Sequence, residues 1–189
     1  GTTPTALRHD AGLAAAKVNV FLRQLVEKSG GVATVGCIEF KPNAINVIPS
    51  KAVFTVDLRN PDKEKLDNDE KILAAYLKDL AKEDDVKIST EHLTEFDPVP
   101  FDEGIVEKVE KAAKAHGLSV RRITSGAGQD AQMIARICPT AMIFVPSVKG
   151  ISHNPEEYTK DEDVLAGAGV FLDVVMDMAV VGVPAARNN

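Results

Sequence analysis

Two long segments in the first half of the chain carry apolar residues at helical spacing. The first follows Asp10, a residue type that caps helix N-termini, and stops at a Gly-Gly pair, which terminates helices readily. The second follows a Pro-Asp pair, which favours a helix start. The spacing predicts helices over 10–29 and 62–83. Their predicted apolar faces consist of Leu13, Val20, Leu22 and Leu25 in the first helix, and of Leu66, Ile72, Leu73, Leu77 and Leu80 in the second.

Strand composition follows each of these helices. The three segments concerned are VATVGCIEF, AVFTVDLRN and DVKISTEHLTEF. In the second of them Phe54, Val56 and Leu58 alternate with polar positions that include Arg59, so the two sets face opposite sides of the strand. The order is helix, strand, strand, helix, strand. One further strand at its start would make this order a ferredoxin-like fold.

The second half of the chain follows a predicted linker, DPVP at 97–100. It alternates helix and strand patterns and so predicts an α/β layer. The segments are a helix over 101–117, the strand LSVRRITS, a glycine turn entering a helix at GAGQDAQMIARIC, the apolar strand PTAMIFVPS and a final helix over 159–181. Two strands cannot make a sheet that is buried on both faces, so we expect further strands outside this chain. The tail GVPAARNN is predicted to fray.

Composition excludes several classes of partner. Hydrophobic residues make up 44% of the chain and charged residues 26%, as in an ordinary globular protein. The net charge of -6, without a basic stripe, argues against nucleic acid. No apolar run is long enough to span a membrane, and the first residues are not a signal peptide. Cys37 and Cys138 lie in apolar runs and predict two buried thiols in a reducing, cytoplasmic setting, with a disulfide between them as the less favoured alternative.

His153 is the first candidate for chemistry. It follows the apolar strand PTAMIFVPS after a glycine turn, and ligand sites in α/β sheets gather at the carboxyl ends of strands. A loop histidine bonded only to backbone is the alternative. His9, His92 and His116 are explained by exposed or helix-terminal positions.

Two further places could bind a ligand. In SGAGQDA, Gly128 and Gln129 precede a helix start, whose N–H groups can hold an anion or a carbonyl oxygen, although a plain tight turn is the commoner use of such a sequence. Asn46 and Arg59 could meet across a hairpin and form a fork for a carboxylate. A surface Arg59 paired with Asp57 or with a helix carboxylate is the favoured alternative.

Four collinear motifs resemble the N-carbamoyl-L-amino-acid hydrolases and their relatives β-ureidopropionase and allantoate amidohydrolase, within the aminoacylase-type metallopeptidase superfamily. The motifs are GTTPTALRHDA, NAINVIPSKAVFTVDLRN, SGAGQDAQMIARICPTAMIFVPS and GISHNPEEYT. The resemblance implies an α/β (α+β) fold class. It places a ferredoxin-like dimerisation domain, lacking its first strand, at 1–97, and the C-terminal part of an α/β metallohydrolase catalytic domain at 98–189.

The resemblance also implies roles for single residues. His153 matches the last ligand of a site for two divalent metal ions, which are zinc, manganese, cobalt or nickel. Asn46 and Arg59 match the pair that holds the substrate carboxylate. Gly128 and Gln129 match a turn that lines the substrate pocket, and Gln129 departs from the histidine usual in the family. No catalytic base is assigned in this chain, because the family's base and remaining ligands are expected upstream of Gly1.

The activity implied is metal-assisted hydrolysis of the carbamoyl C–N bond of an N-carbamoyl-L-amino acid or similar ureido acid. The implied protein is a cytoplasmic homodimer, formed through residues 10–97 and completed by the N-terminal part of the catalytic domain. Allantoate amidohydrolase and β-ureidopropionase activities stay open. A non-catalytic dimerisation module is the competing class, and this chain by itself is expected to be inactive.

Overall fold

The computed structural model describes residues 1–181, and the tail predicted to fray, 182–189, lies outside the described residues. Contacts between Cα atoms divide the chain into two compact units. The first spans Gly1–Pro98 and the second begins at Val99, so the division falls inside the segment predicted to be a linker.

The first unit is built from two long helices and an antiparallel hairpin that is interrupted in the middle. Its elements are α1 (Ala11–Ser29), β1 (Val32–Thr34), β2 (Ile38–Lys41), β3 (Lys51–Phe54), β4 (Asp57–Arg59) and α2 (Lys63–Glu83), preceded by a 3-10 turn at Thr5–Leu7. Both predicted helices are confirmed.

The ends of α1 form as the sequence predicts. Asp10 Oδ1 accepts hydrogen bonds from the backbone N–H groups of Gly12 at 2.9 Å and Leu13 at 3.0 Å, which satisfies two donors that the first turn leaves free. Gly30 ends the helix with a left-handed φ of 81°, a conformation that costs glycine little. Asp62 caps α2 in the same way as Asp10 caps α1.

The two strands predicted on either side of the connection each break into two short ones. β2 pairs with β3 from Ile38 opposite Phe54, and β1 pairs with β4 up to Thr34 opposite Asp57. Between these pairs, residues 35–37 face only residues 55–56. The first strand therefore carries one extra residue, a bulge that interrupts the ladder and that the sequence pattern does not show.

The core of the first unit lies between the helices and the hairpin. Val18, Leu22 and Leu80 are each 1% exposed and form one cluster with Ala14. Phe54, Val56 and other half-buried residues of the hairpin pack against this cluster, so the predicted inward face of that strand is confirmed. Helix α1 contacts β1 and β3, α2 contacts β4, and the two helices contact each other, which gives one helical layer over one face of the hairpin.

The predicted apolar face of α1 is wrong at two positions. Leu13 and Val20 are 50% and 60% exposed, while the buried stripe runs through Ala14, Val18 and Leu22. Those three residues recur every four positions and stay on one face of the helix, whereas Leu13 and Val20 lie beside it. Small alanine residues allow close packing without adding to an apolar pattern, which is why the pattern alone selected the larger side chains.

The predicted strand over 85–96 forms no ladder within the part of the chain that the structure describes. Val86 and Ile88 nevertheless pack on the core of the first unit, and Val86 N–H donates to the carbonyl of Ala81 at 3.0 Å. The segment is therefore an apolar cover rather than a strand, because a strand also needs a neighbouring backbone with free N–H and C=O groups. The ferredoxin-like sheet is incomplete in the described residues, and the broader prediction of a mixed helix and sheet fold is confirmed.

The second unit contains α3 (Glu103–Ala115), the short α4 (Asp130–Ile134), a 3-10 turn at Val148–Gly150 and α5 (Asp161–Val181). Helices α3 and α5 pack together. The helix predicted to run through Cys138 ends four residues early, in a series of turns. No helix among residues 1–181 is long and apolar enough to cross a membrane.

The two strands predicted in the second unit, 118–125 and 139–147, are not paired within the described residues. The second of them lies close against α5: a Cβ placed on Gly167 would come within 2.5 Å of Val145 Cγ1. Phe144 and Val145 are nevertheless 48% and 39% exposed, so the expected burial of both faces of this segment is wrong in the described residues, where its backbone has no ladder neighbour. The predicted burial of the thiols is also wrong, since Cys37 and Cys138 are both exposed and free.

Candidate functional site

His153 lies in a loop whose base is closed by the backbone. The N–H of Val148 donates to the carbonyl of Tyr158 at 2.8 Å, and the loop runs between these residues. Inside it, Asn154 holds the following turn: its carbonyl accepts from Glu157 N–H and its Oδ1 accepts from Glu156 N–H, both at 2.9 Å. The loop is thus tied at its base and again just after His153.

The backbone at His153 has a left-handed conformation, with φ of 56°. For a residue other than glycine this conformation costs about 1–2 kcal/mol. The N–H of His153 donates to Glu157 Oε2 at 2.8 Å, a charge-assisted bond within hydrogen-bonding distance. Sequence reasoning missed Glu157, and the only available signal was a carboxylate four residues after the candidate histidine.

The imidazole of His153 is a side chain of a type that commonly binds metal ions. It is exposed, and no hydrogen bond reaches its ring nitrogens from the described residues. Among residues 1–181, however, no three His, Cys, Asp or Glu side chains come together as a metal-binding group. Protein metal sites of this chemistry use three or four protein ligands, so the described residues do not form a complete site.

Arg59 and Asp57 form a forked ion pair on the exposed side of β4. Arg59 Nε donates to Asp57 Oδ1 at 2.8 Å, and Nη2 donates to Oδ2 at 2.5 Å. The hydrogen bonds from Arg59 hold the pKa of the Asp57 carboxyl below its ordinary value, and those to Asp57 raise the pKa of Arg59. The guanidinium therefore already shows the bidentate carboxylate binding that its geometry favours, with a partner from its own strand.

Asn46 and Arg59 do not meet across the hairpin. The last pair before the connection is Lys41 opposite Lys51, and Asn46 lies in the exposed connection beyond it. Arg59 lies at the other end of the interrupted hairpin, opposite Val32. The prediction assumed a tight turn near Pro49, whereas the whole of residues 42–50 forms the connection, so the expected cross-strand register is wrong.

Gly128 and Gln129 lie at the start of α4. Gln129 occupies the N-cap position, its side chain makes no capping bond, and its carbonyl accepts from Gln132 N–H at 2.9 Å. A Cβ added to Gly128 or to Gly126 would meet nothing within 4 Å. The backbone at this turn is consequently open on the side where a side chain would stand, and Gln129 is exposed beside it.

The chain matches the model of Peptidase family M20/M25/M40 over residues 5–177. It therefore belongs to this family, and the resemblance carried by the four sequence motifs is confirmed.

Within the family the chain is similar to several amidohydrolases. It is 40% identical to the N-carbamoyl-L-amino-acid amidohydrolase of Rhizobium meliloti, over 95% of this chain and 44% of that protein. It is 36% identical to the allantoate amidohydrolase of Escherichia coli, with the same coverage of both chains. The structure of a hydantoinase/carbamoylase family amidase from Burkholderia multivorans superposes with a TM-score of 0.89 at 38% identity, over 95% of this chain and 44% of that one. The chain thus spans less than half the length of these relatives.

Proposed function

We propose that this chain is part of an amidohydrolase that cleaves the carbamoyl C–N bond of an N-carbamoyl-L-amino acid or a similar ureido acid. The observation that carries the proposal is the continuous similarity of 95% of the chain to an N-carbamoyl-L-amino-acid amidohydrolase. A ureidoglycolate hydrolase from Arabidopsis thaliana is also similar, with 38% identity over 87% of this chain and 35% of that protein. The substrates in these names share a carboxylate and a carbamoyl or ureido group, so both groups define the substrate class. Allantoate and β-ureido acids remain within that class.

Arg59 is the residue proposed to hold the substrate carboxylate. Its fork with Asp57 supports this role, and both side chains are 50% exposed, so a second carboxylate can approach the pair. Asn46 is proposed to donate its side-chain amide to the same carboxylate. Because Asn46 and Arg59 are not cross-strand neighbours, this role requires the connection 42–50 to bend toward the substrate or a partner copy to contribute one of the two residues.

The turn at Gly128 and Gln129 is proposed to line the pocket on the side of the carbamoyl group. The open space beside Gly128 leaves room for a ligand to contact the backbone. Gln129 can donate and accept a hydrogen bond but cannot change its charge near neutral pH. We therefore assign it to the orientation of a neutral group of the substrate and not to proton transfer.

His153 is proposed to supply one ligand to a site for two divalent metal ions, which are zinc, manganese, cobalt or nickel. Such ions lower the pKa of a bound water and polarise the scissile carbonyl. The remaining ligands and the general base are proposed to come from an N-terminal part of the catalytic domain outside this chain. The role of His153 is to present its imidazole at a fixed place in the closed loop.

Replacing His153 by Ala in the complete enzyme is expected to remove or weaken one of the two metal ions and to lower the hydrolysis rate. Metal content by mass spectrometry, together with the rate on an N-carbamoyl amino acid, measures both effects. His92→Ala is the matched control, because His92 is also exposed but carries no proposed role. Unchanged metal content and rate in His153→Ala would exclude this histidine as a ligand.

A homodimer through residues 10–97 is the proposed assembly. Each strand of the interrupted hairpin has a free edge within the described residues, and such edges need cover. The outer side of α1 also carries an apolar groove of about 320 Å³, lined by Leu13, Val20, Phe21 and Tyr76 among others. The rings of Phe21 and Tyr76 stack at 3.7 Å between centroids and form a flat wall of this groove.

The change Val20→Asp is expected to convert the dimer to a monomer, because Val20 is 60% exposed in the groove and a charge there would be desolvated by a partner. Sedimentation velocity at micromolar concentration measures the change. Leu7→Asp is the control: Leu7 is 68% exposed but lies outside residues 10–97. A wild-type chain that sediments only as a monomer would contradict the proposed assembly.

A non-catalytic dimerisation module is the second candidate. Residues 1–181 contain no group of three metal-binding side chains, which is compatible with this candidate and equally with an enzyme whose other ligands lie outside this chain. Hydrolysis of an N-carbamoyl amino acid by the complete protein, and its loss on chelation of metal, would show that the protein is a metal-dependent amidohydrolase and exclude the non-catalytic module.

A further inference from the structure

We infer that Glu157 is a positioning residue, which holds His153 in the backbone conformation that presents its imidazole to a divalent metal ion. The inference rests on the proposed metal role of His153, and it adds a residue that acts through that ligand. Glu157 itself is assigned no contact with metal or substrate.

The first observation is the conformation that has to be maintained. His153 is one of few residues other than glycine with a positive φ in the described chain, at 56°. Earlier in the same loop, Lys149 and Gly150 also have positive φ values, of 60° and 69°. A left-handed histidine is less stable than an extended or helical one by about 1–2 kcal/mol. An interaction specific to the left-handed form is therefore needed if the imidazole is to have one direction.

The second observation is that Glu157 supplies such an interaction. Its Oε2 accepts the N–H of His153 at 2.8 Å, and the direction of a backbone N–H is set by φ. The bond is charge-assisted, which makes it stronger than a bond between neutral groups. Rotation of His153 out of the left-handed region would turn the N–H away from the carboxylate and break this bond.

The third observation is that Glu157 is itself held in place. Its backbone N–H donates to the carbonyl of Asn154 at 2.9 Å, and the adjacent Tyr158 carbonyl accepts from Val148 N–H at 2.8 Å. The carboxylate thus reaches from a fixed piece of backbone to His153, the residue directly before the turn that Asn154 and Glu157 close. The hydrogen bonds of Asn154 and Glu157 together fix the turn and hold the backbone N–H of His153 in one direction.

A direct ligand role for Glu157 is the competing explanation, because carboxylates also bind divalent ions. The two roles differ in what the side chain must keep. Positioning needs only an oxygen acceptor at the end of a side chain of the same length, which Gln provides, whereas an anionic ligand needs the charge. Glu157→Gln therefore separates the two roles.

The test uses Glu157→Ala, Glu157→Gln and, as a matched control, Glu156→Ala, since the Glu156 side chain is exposed and has no hydrogen bond in the described region. In the metal-free complete enzyme, the exchange rate of the His153 amide proton is measured by NMR. In the complete enzyme, affinity for Co²⁺ is measured by titration. Glu157→Ala is expected to speed exchange of the His153 amide and to weaken Co²⁺ binding about 10-fold, within the range of ligand-orienting partners. Glu157→Gln is expected to restore most of both properties, because the neutral amide oxygen still accepts but more weakly than a carboxylate, and Glu156→Ala is expected to change neither.

Two results would overturn the inference. Glu157→Ala with wild-type exchange and Co²⁺ affinity would show that the contact does not position His153. Glu157→Gln as defective as Glu157→Ala would show that the charge is required and that Glu157 binds metal directly. His153→Ala tests the proposed metal role of His153 separately. If this variant leaves Co²⁺ affinity unchanged, the metal role is wrong. If His153→Ala weakens Co²⁺ binding while Glu157→Ala does not, only the positioning role is contradicted.

Discussion

Replacing Arg59 by Lys in the complete enzyme is expected to lower kcat/KM for a ureido acid by roughly 30- to 1000-fold, or about 2–4 kcal/mol. Lysine keeps the positive charge but is a point donor, so it cannot form two parallel hydrogen bonds with one carboxylate. The forked contact of Arg59 with Asp57, at 2.8 and 2.5 Å, shows that this arginine uses that geometry. Steady-state kinetics on an N-carbamoyl amino acid measures the loss.

Two controls distinguish substrate binding from a structural role of Arg59. A substrate analogue without its carboxylate should be a poor substrate for the wild type, and Arg59→Lys should make little further difference to it. Asp57→Asn removes the competing carboxylate and should retain most of the activity. The fold should survive all of these changes, because Phe54 and Val56 on the opposite face of the strand make the core contacts.

The opposite pattern would assign Arg59 to stability alone. Full activity of Arg59→Lys, or an equal loss on substrates with and without the carboxylate, would mean that Arg59 has a structural role, to which its ion pair with Asp57 contributes. That ion pair is half exposed and by itself stabilises the fold by no more than about 1 kcal/mol.

Replacing Asp69 by Leu is expected to stabilise the first unit by about 1–3 kcal/mol. Asp69 is 1% exposed, and its Oδ2 has no hydrogen-bond partner within the described residues. It lies on α2 between the buried Leu66 and the half-buried Leu73, where helical spacing places an apolar side chain. Burial of an unpartnered polar group is costly, and a leucine there would gain apolar contacts in its place.

The midpoint of urea denaturation, compared with the wild type, measures this gain. Asp79→Leu is the control, because Asp79 lies on the same helix but is exposed. Both changes raise helix propensity by the same amount, so a larger gain at Asp69 reports burial. A loss of stability in Asp69→Leu would show that the carboxyl is engaged by a partner and is required there.

Interactions local in sequence were predictable in this chain. Asp10 and Asp62 cap the helices at the expected positions, because a cap is decided by the residues of one turn. The alternation of Phe54 and Val56 also identified the inward face of its strand, since the period of two is a property of a single strand.

Interactions between distant segments were not predictable. Residues 118–125 and 139–147 have strand composition but no ladder in the described residues, because pairing depends on a second backbone that no local pattern specifies. The register of Asn46 and Arg59 failed for the same reason, as it depends on where the connection begins. Glu157 was missed because a carboxylate that accepts from a backbone N–H has no characteristic spacing until the turn is known.

The extra residue in segment 35–37 reverses the parity of the strand that contains it. Before the bulge Ala33 faces inward opposite Leu58, and after it Phe40 faces inward opposite Ala52, so odd positions point to the core on one side of the bulge and even positions on the other. The partner strand has no such reversal. A relative that lacks one residue here must also exchange apolar and polar positions on one side of the gap. Length and polarity of this strand therefore have to change together, and an alignment that places a gap there without inverting the alternation pairs the wrong residues.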